Sequence, residues 1–476
     1  MNNEAVIRVK FEQFQDFVGR LIKAQSAVEG TEVPENPVKT ITFQLTDDCN
    51  LRCTYCYQIN KGKRVMSFET AKKFIDLLIE DSYKDDTFVS LKTTPGVVIE
   101  FIGGEPLLEL DLIDQICEYW IYKIISEKHP WALHYSFSMI SNGVEYFNPK
   151  TQKILTKYKG RMSFGISLDG CKPLHDMCRV FPDGQGSYDL AEAGCKHYRE
   201  NFDERMLTKM TIAPENVTWM YDAFINLHQL GYPVIHANCI YEKGWTVNHA
   251  SVIYNQLKKI ADYILENDLE NKIEFTMFDE ISCQLQTDKD NKNYCGSTGC
   301  MLACDPDGVI APCIRFMKSS LGEEVGDFAI GHLRSGIGVE PEDKANIELL
   351  DSITRRSQST DECWECPVGG GCGWCTAYNF QETGDANKRC TYICWTHRAR
   401  SLANVYYWNK VYMKNNENKI FRLGLQKEHA LQIITEEEYD MLLDLARGLG
   451  EYTREELLAE LYTGEVDPDY SNKKDK

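Results

Sequence analysis

Six strand-like runs, at about residues 41–45, 97–102, 136–140, 162–168, 206–212 and 234–239, recur along this chain with amphipathic helical stretches between them. Alternation of that kind demands parallel pairing, because each strand must cross back over the sheet before the next begins. The expected fold class is therefore α/β. In parallel α/β barrels the loops at the strand C-terminal ends carry the site. Ser67-Phe68-Glu69-Thr70 predicts a serine-capped helix with Ala71, Phe74, Ile75, Leu78 and Ile79 on one face.

The first of those loops reads Cys49-Asn-Leu-Arg-Cys53-Thr-Tyr55-Cys56-Tyr57. Three thiolates spaced x3 and x2 hold three corners of a [4Fe–4S] cube and leave the fourth iron open. Such clusters are normally closed by four cysteines, so the missing ligand reads as a substrate position. A zinc knuckle would show two spaced pairs and no Cys-x3-Cys-x2-Cys-aromatic loop. Further on, the buried-strand run Val97–Ile102 ends in Gly103-Gly104-Glu105-Pro106, where glycines let the backbone approach a ligand. Two more strands end in polar turns at the same edge, Ser141-Asn142-Gly143 and Ser167-Leu-Asp169-Gly170, and His175-Asp176-x2-Arg179 follows.

These motifs resemble the radical S-adenosylmethionine (SAM) superfamily over most of the chain. The resemblance implies a partial (β/α)6 barrel at 41–285 in which SAM chelates the open iron of the Cys49/Cys53/Cys56 cluster. It also implies that reductive cleavage gives methionine and a 5′-deoxyadenosyl radical. Glu105 would receive the SAM ammonium, and Tyr55, Gly103, Gly104, Ser141, Asn142, Ser167, Asp169 and Arg179 would line the SAM pocket.

Ten cysteines lie between 295 and 394. The first group is Cys295-x4-Cys300-x3-Cys304-x8-Cys313, with Asp305-Pro-Asp-Gly308 as a hairpin turn. Then come Cys363-x2-Cys366-x5-Cys372-x2-Cys375, and last Cys390 and Cys394. No signal-peptide-like or transmembrane run begins the chain, which argues against a disulfide scaffold; a zinc ribbon stays open. The pattern resembles the SPASM extension of radical SAM proteins, whose two auxiliary [4Fe–4S] clusters bring the total to three. By that resemblance the first auxiliary cluster takes Cys295, Cys300, Cys313 and Cys375, and the second takes Cys363, Cys366, Cys372 and Cys394. Cys372 and Cys375 stand two residues apart where the family has three, which puts ligation by Cys375 in question. Cys390 competes with Cys394, preferred because a helix-like run follows it directly, and Cys304 is an extra candidate. Cys117, Cys171, Cys178, Cys195, Cys239 and Cys283 read as small buried hydrophobes.

A net charge of −20 argues against phosphate backbones as substrate, hence no nucleic acid partner. No membrane segment is expected and the setting is cytoplasmic. Residues 1–40 form a short N-terminal segment, with a strand at Val6–Phe11, an amphipathic stretch at Phe14–Ile22 and a linker at Thr31–Pro37. Residues 290–400 form the SPASM region, and 401–476 a helical acidic tail with helices at Glu436–Leu449 and from Thr453. Residues 467–476 are expected to be disordered.

Within the superfamily the nearest resemblance is to maturases that install thioether crosslinks in ribosomally made, cysteine-rich precursor peptides, including the ranthipeptide class. Such an oxidoreductase takes electrons from a low-potential flavodoxin- or ferredoxin-type donor. One alternative is an anaerobic sulfatase-maturating enzyme, which places a catalytic aspartate directly after the third auxiliary cysteine, where this chain has Ile314-Arg315. Carbon–carbon crosslinking or epimerisation of a peptide shares all the motifs. A non-catalytic Fe–S electron-transfer protein would have no use for a SAM pocket. The sequence singles out no catalytic residue.

Overall fold

The computed structural model describes residues 38–446 apart from 289, 290 and 294. The features expected within 1–37, the helix from Thr453 and the stretch 467–476 lie outside the described residues. Strands β1 (Lys39–Gln44), β2 (Val97–Ile102), β3 (Tyr135–Ser141) and β4 (Met162–Ile166) pair in parallel in that order. Strands β5 (Lys209–Ile212), β6 (Val234–Cys239) and β7 (Glu274–Phe275) form a second parallel ladder. The crossovers carry α1 (Phe68–Ser82), α2 (Leu110–Ser126), α3 (Pro149–Lys157), α4 (Lys172–Cys178), α5 (Tyr188–Asn201), α6 (Met220–Gln229) and α7 (Val247–Glu266). Six βα units are thus where the alternation placed them, and Ser67 caps α1 by accepting from Thr70 N.

No backbone ladder joins β4 to β5. Side chains bridge the gap instead. Thr208 Oγ1 donates to the Leu168 carbonyl at 2.8 Å, and Asp169 accepts from Thr211 N at 3.1 Å. The strand read as a buried run at 97–102 in fact alternates. Val97, Ile99 and Phe101 are buried in an aromatic layer with Phe43, Phe74 and Phe137. Its other face, Val98, Glu100 and Ile102, is half-buried, and there Glu100 accepts from Thr42 Oγ1 at 2.7 Å.

The cysteine-rich region extends the same sheet. Strand β8 (Met301–Cys304) adds in parallel to the free edge of β1, turns through Asp305–Gly308 and returns as β9 (Val309–Ala311). Gly308 has φ +87°, a conformation that favours glycine in the turn. Strands β10 (Gly331–His332) and β11 (Gly336–Ile337), and helices α8 (Pro341–Ser352) and α9 (Thr376–Thr383), complete the region. The boundary expected at 400/401 is corrected: α10 runs unbroken over Cys394–Lys414. Its inner face is committed to the barrel, with Asn404 Nδ2 and Arg400 Nε donating to the Met277 carbonyl at 2.9 and 2.8 Å. Helix α11 (Glu436–Leu445) is held to α7 by Glu438, which accepts from Tyr254 Oη at 2.5 Å. The acidic tail therefore covers the barrel. Among the described residues no helix is long and apolar enough to cross a membrane.

Two buried histidines make the fold acid-sensitive. In each, Nδ1 accepts a backbone N–H: His129 from Trp131 at 3.2 Å, His175 from Asp169 at 3.3 Å. Burial pushes both down to about 4. Between pH 6.5 and 4 the unfolded chain binds protons there that the fold refuses, so stability falls on acidification by on the order of 3 kcal/mol per histidine. Glu105, pushed up to about 7 by burial, opposes this over part of the range. Anaerobic unfolding midpoints are expected to drop from pH 6.5 to 5, less steeply in His129→Gln. Equal slopes in the two proteins would contradict the assignment.

Candidate active site

The Cys49–Tyr57 loop leaves the C-terminal end of β1 and is clamped from two sides. On one, Gly104 N and Glu105 N donate to the carbonyls of Thr46 and Asp48, both at 2.8 Å. A Cβ on Gly104 would sit 2.0 Å from the Asp48 carbonyl oxygen, and one on Gly103 2.8 Å from that of Thr46. Those glycines admit the chain's own loop, where the sequence reading gave them to a ligand. On the other side Arg52 N and Thr54 N donate to the carbonyls of Val180 and Cys178 at 2.7 and 3.0 Å. Cys49, Cys53 and Cys56 lie within one another's electrostatic reach, and Lys61 Nζ donates to Cys56 Sγ at 3.3 Å. Burial pushes the free Cys53 thiol up to about 11. A bound metal's charge is what turns such a set into thiolates at neutral pH.

The expected SAM-pocket residues gather beside this loop, but two carboxylates are already filled. Glu105 is buried and accepts from Ser141 Oγ at 2.7 Å, Asn142 N at 2.8 Å and Leu107 N at 3.1 Å. It ties β2 to β3. Glu105→Ala strands those three donors and is expected to cost about 3 kcal/mol in denaturant unfolding; a change under 1 kcal/mol would contradict the tie. Asn142 Nδ2 donates to Asn50 Oδ1 at 2.7 Å and reaches Cys49 Sγ at 3.9 Å. Half-buried Ser167 donates its N–H to the Ser141 carbonyl at 2.8 Å. Asp169 accepts from Arg179 Nε at 2.8 Å and from Tyr55 Oη, and Arg179 lies 5.4 Å over the Tyr55 ring. Burial opposes its ionisation, yet Arg179 keeps Asp169 below the usual carboxylate range. The His175-Asp176-x2-Arg179 motif is thus a buried brace beneath Tyr55.

The C-terminal cysteines fall into two groups. Cys295 and Cys375 lie in the electrostatic field of Cys313. Cys300, expected with them, stands at the start of β8 with Lys39 in its field, while Cys390 has Cys375 in its own. Cys304 is fully buried in β8, paired with Phe43, which makes it a core residue and removes it as a ligand candidate. The second group surrounds one guanidinium. Burial works against the charge of Arg389, and Cys372, Cys363, Cys394 and Cys366 outweigh it. Its Nη1 is buried with no hydrogen-bond partner. A buried cation among four neutral thiols would be uncompensated, whereas four metal-bound thiolates supply both charge and acceptors. That donor set fits an iron–sulfur cluster. Among the described residues no three His, Cys, Asp or Glu side chains converge on a single ion; in a cube each thiolate has its own iron.

Between the two regions opens a cavity of about 510 Å³, lined by Cys56, Tyr57, Glu242, Lys243, Arg315 and Tyr378 among others. Arg315 Nη1 donates to Cys375 Sγ at 3.2 Å, Nη2 pairs with Glu242, and the guanidinium lies 4.6 Å over the Tyr57 ring. In the sequence Arg315 marks only the place of a missing aspartate, and Glu242 belongs to no motif. The signal for Glu242 was its place just beyond the C-terminal end of a barrel strand.

No family model matches the chain. The solved structure of native anSMEcpe with bound AdoMet and Kp18Cys peptide shares its fold, with TM-score 0.56 at 17% identity over 80% of this chain and 100% of that one. In sequence as well as in fold the chain is similar to radical SAM maturases. The antilisterial bacteriocin subtilosin biosynthesis protein AlbA of Bacillus subtilis is 21% identical over 348 residues, 70% of this chain and 66% of AlbA. The cysteine-type anaerobic sulfatase-maturating enzyme of Clostridium perfringens (strain 13) is 22% identical over 382 residues, 76% of this chain and 95% of that enzyme. Against the first curated relatives it matches, the chain spans between 45% and 66% of their length.

Proposed function

We propose that this radical SAM protein is an enzyme that joins a cysteine sulfur to a carbon within a ribosomally made, cysteine-rich precursor peptide. The observation that carries the reading is the cavity, whose wall runs from Cys56 to Arg315. A peptide seated there meets Cys56 on one side and, on the other, Arg315, whose Nη1 donates to Cys375. In this reading Cys49, Cys53 and Cys56 hold a [4Fe–4S] cluster open to SAM. Cys295, Cys313 and Cys375, with Cys300 as the fourth, hold the first auxiliary cluster, and Cys363, Cys366, Cys372 and Cys394 hold the second.

When bound, SAM and the clusters supply a hydrogen-abstracting carbon radical and a sink for one electron. The chain's own residues align the substrate and manage its proton. Arg315, held by Glu242, presents guanidinium N–H donors at the Cys375 edge, which would favour a substrate thiolate over a thiol. Glu215, Glu242 and Glu382 line the cavity as proton acceptors. Each link releases one hydrogen atom from carbon, one proton from sulfur and one electron, a net loss of two hydrogens from the peptide. A separate electron, the one that SAM cleavage consumes, would come from a low-potential flavodoxin- or ferredoxin-type donor.

A second reading, oxidation of a cysteine or serine to formylglycine, is favoured by the full-length likeness to the C. perfringens enzyme. Against it stands Ile314-Arg315 after Cys313, where an aspartate is expected. Parallel anaerobic incubations with a cysteine-rich precursor and a sulfatase-derived cysteine peptide separate the two. The crosslinking reading expects mass loss in the first and no hydrazine-reactive aldehyde in the second; an aldehyde in the second alone overturns it.

A further inference from the structure

Arg389 stands out among the buried groups that this chemistry does not use. It is 9% exposed. Its Nη2 donates at 2.9 Å to Cys372 Sγ, at 3.0 Å to the Cys372 carbonyl and at 2.9 Å to that of Gly373. The guanidinium lies 5.2 Å over the Trp374 ring, and Nη1 is the unpartnered donor described above. Among the described residues no carboxylate pairs with it. The other auxiliary group differs on that point. Arg315 touches Cys375, but it is ion-paired to Glu242, so that group faces a neutral pair.

We propose that Arg389 is the fixed counter-charge of the second auxiliary cluster, donating N–H bonds to its sulfurs, and that it makes this cluster the more easily reduced of the two. The inference rests on the cluster assignment of the preceding section and not on the identity of the peptide. Potentials of iron–sulfur clusters follow net charge and hydrogen bonds to sulfur. An unpaired buried cation favours the added electron, and a neutralised one does so far less. Arg398 also lies in the field of Cys366 and Cys394, but among the described residues Arg389 alone donates to a cysteine sulfur of the set, and the sulfurs of the cluster would be the acceptors of its vacant Nη1. An electron released at the cavity then moves from the Cys375 side toward the Cys394 side, away from the substrate. Arg389 is in this sense a positioning residue; it touches no substrate.

The test is an anaerobic redox titration of the reconstituted full chain, followed by electron paramagnetic resonance without peptide, in wild type, Arg389→Lys and Arg389→Gln. Iron content is measured alongside. With wild-type iron in place, Arg389→Gln is expected to shift the balance of reduced second to reduced first cluster by at least tenfold toward the first, about 59 mV for one electron. Arg389→Lys keeps the charge and is expected to shift it less. Loss of the second cluster's iron in the Gln variant with retention in the Lys variant also supports the counter-charge role. An unchanged balance at full iron overturns the proposal. So does equal loss of iron in both variants, which would assign Arg389 to holding the 372–373 backbone. Because no peptide is present, failure of crosslinking elsewhere leaves these outcomes readable.

Discussion

Replacing any one of Cys49, Cys53 and Cys56 with alanine is expected to lower 5′-deoxyadenosine formation by more than the roughly 100-fold that changes outside a metal's ligand shell cost. Each thiol is one corner of the primary set, and the loop that carries them is anchored by backbone bonds to Gly104, Glu105, Cys178 and Val180. The loop therefore survives the substitution while the ligand does not. Cys304→Ala is the matched control. It removes a buried thiol from the β8 core and is expected to leave both iron content and turnover near wild type. Chromatographic quantitation of 5′-deoxyadenosine with iron analysis checks both. Turnover surviving in Cys53→Ala, or lost with iron in Cys304→Ala, would contradict the site described.

Arg315→Met is expected to be the most damaging change in the cavity. It removes the donor to Cys375 and leaves Glu242 without its cation, with the two side chains only 19% and 27% exposed. Breaking such a pair costs about 3 kcal/mol, and most of that is the stranded partner. The Arg315→Met/Glu242→Gln double variant is therefore expected to recover stability that the single variant loses. Crosslinking is expected to stay at least tenfold down in both, because neither presents the Arg315 N–H donor beside Cys375. Denaturant unfolding and turnover of the three variants form a double-mutant cycle. Additive stability losses would show that the pair is not coupled.

Much of this arrangement was legible in the residues themselves. The six βα units were readable from alternation, and the Asp305–Gly308 hairpin from its turn chemistry. The grouping of Cys363, Cys366, Cys372 and Cys394 followed from a resemblance in spacing, and the fold brings those four around Arg389. What stayed hidden depends on contacts distant in sequence. Gly104 answers to Asp48, 56 positions away. Glu105 and Asp169 had the right addresses, yet their oxygens are taken by Ser141, Asn142, Arg179 and Tyr55. Cys300 and Cys304 could not be told apart by spacing, because only the pairing of β8 with β1 buries one and leaves the other at the strand's start. Arg315 and Glu242 lie 73 positions apart and meet only in the cavity. The 400/401 boundary failed because α10 starts at a candidate ligand, Cys394, and continues as barrel cover without a break.

The central claim is that the cavity between Cys56 and Cys375 is where sulfur is joined to carbon. The most direct test is the mass of a cysteine-rich precursor peptide after anaerobic incubation with the reconstituted protein, SAM and reductant, followed by thiol alkylation. The account predicts loss of two hydrogens per link and cysteines that no longer take the alkylating agent. Loss of two hydrogens with every thiol still alkylatable, or SAM cleavage with the peptide mass unchanged, would contradict it.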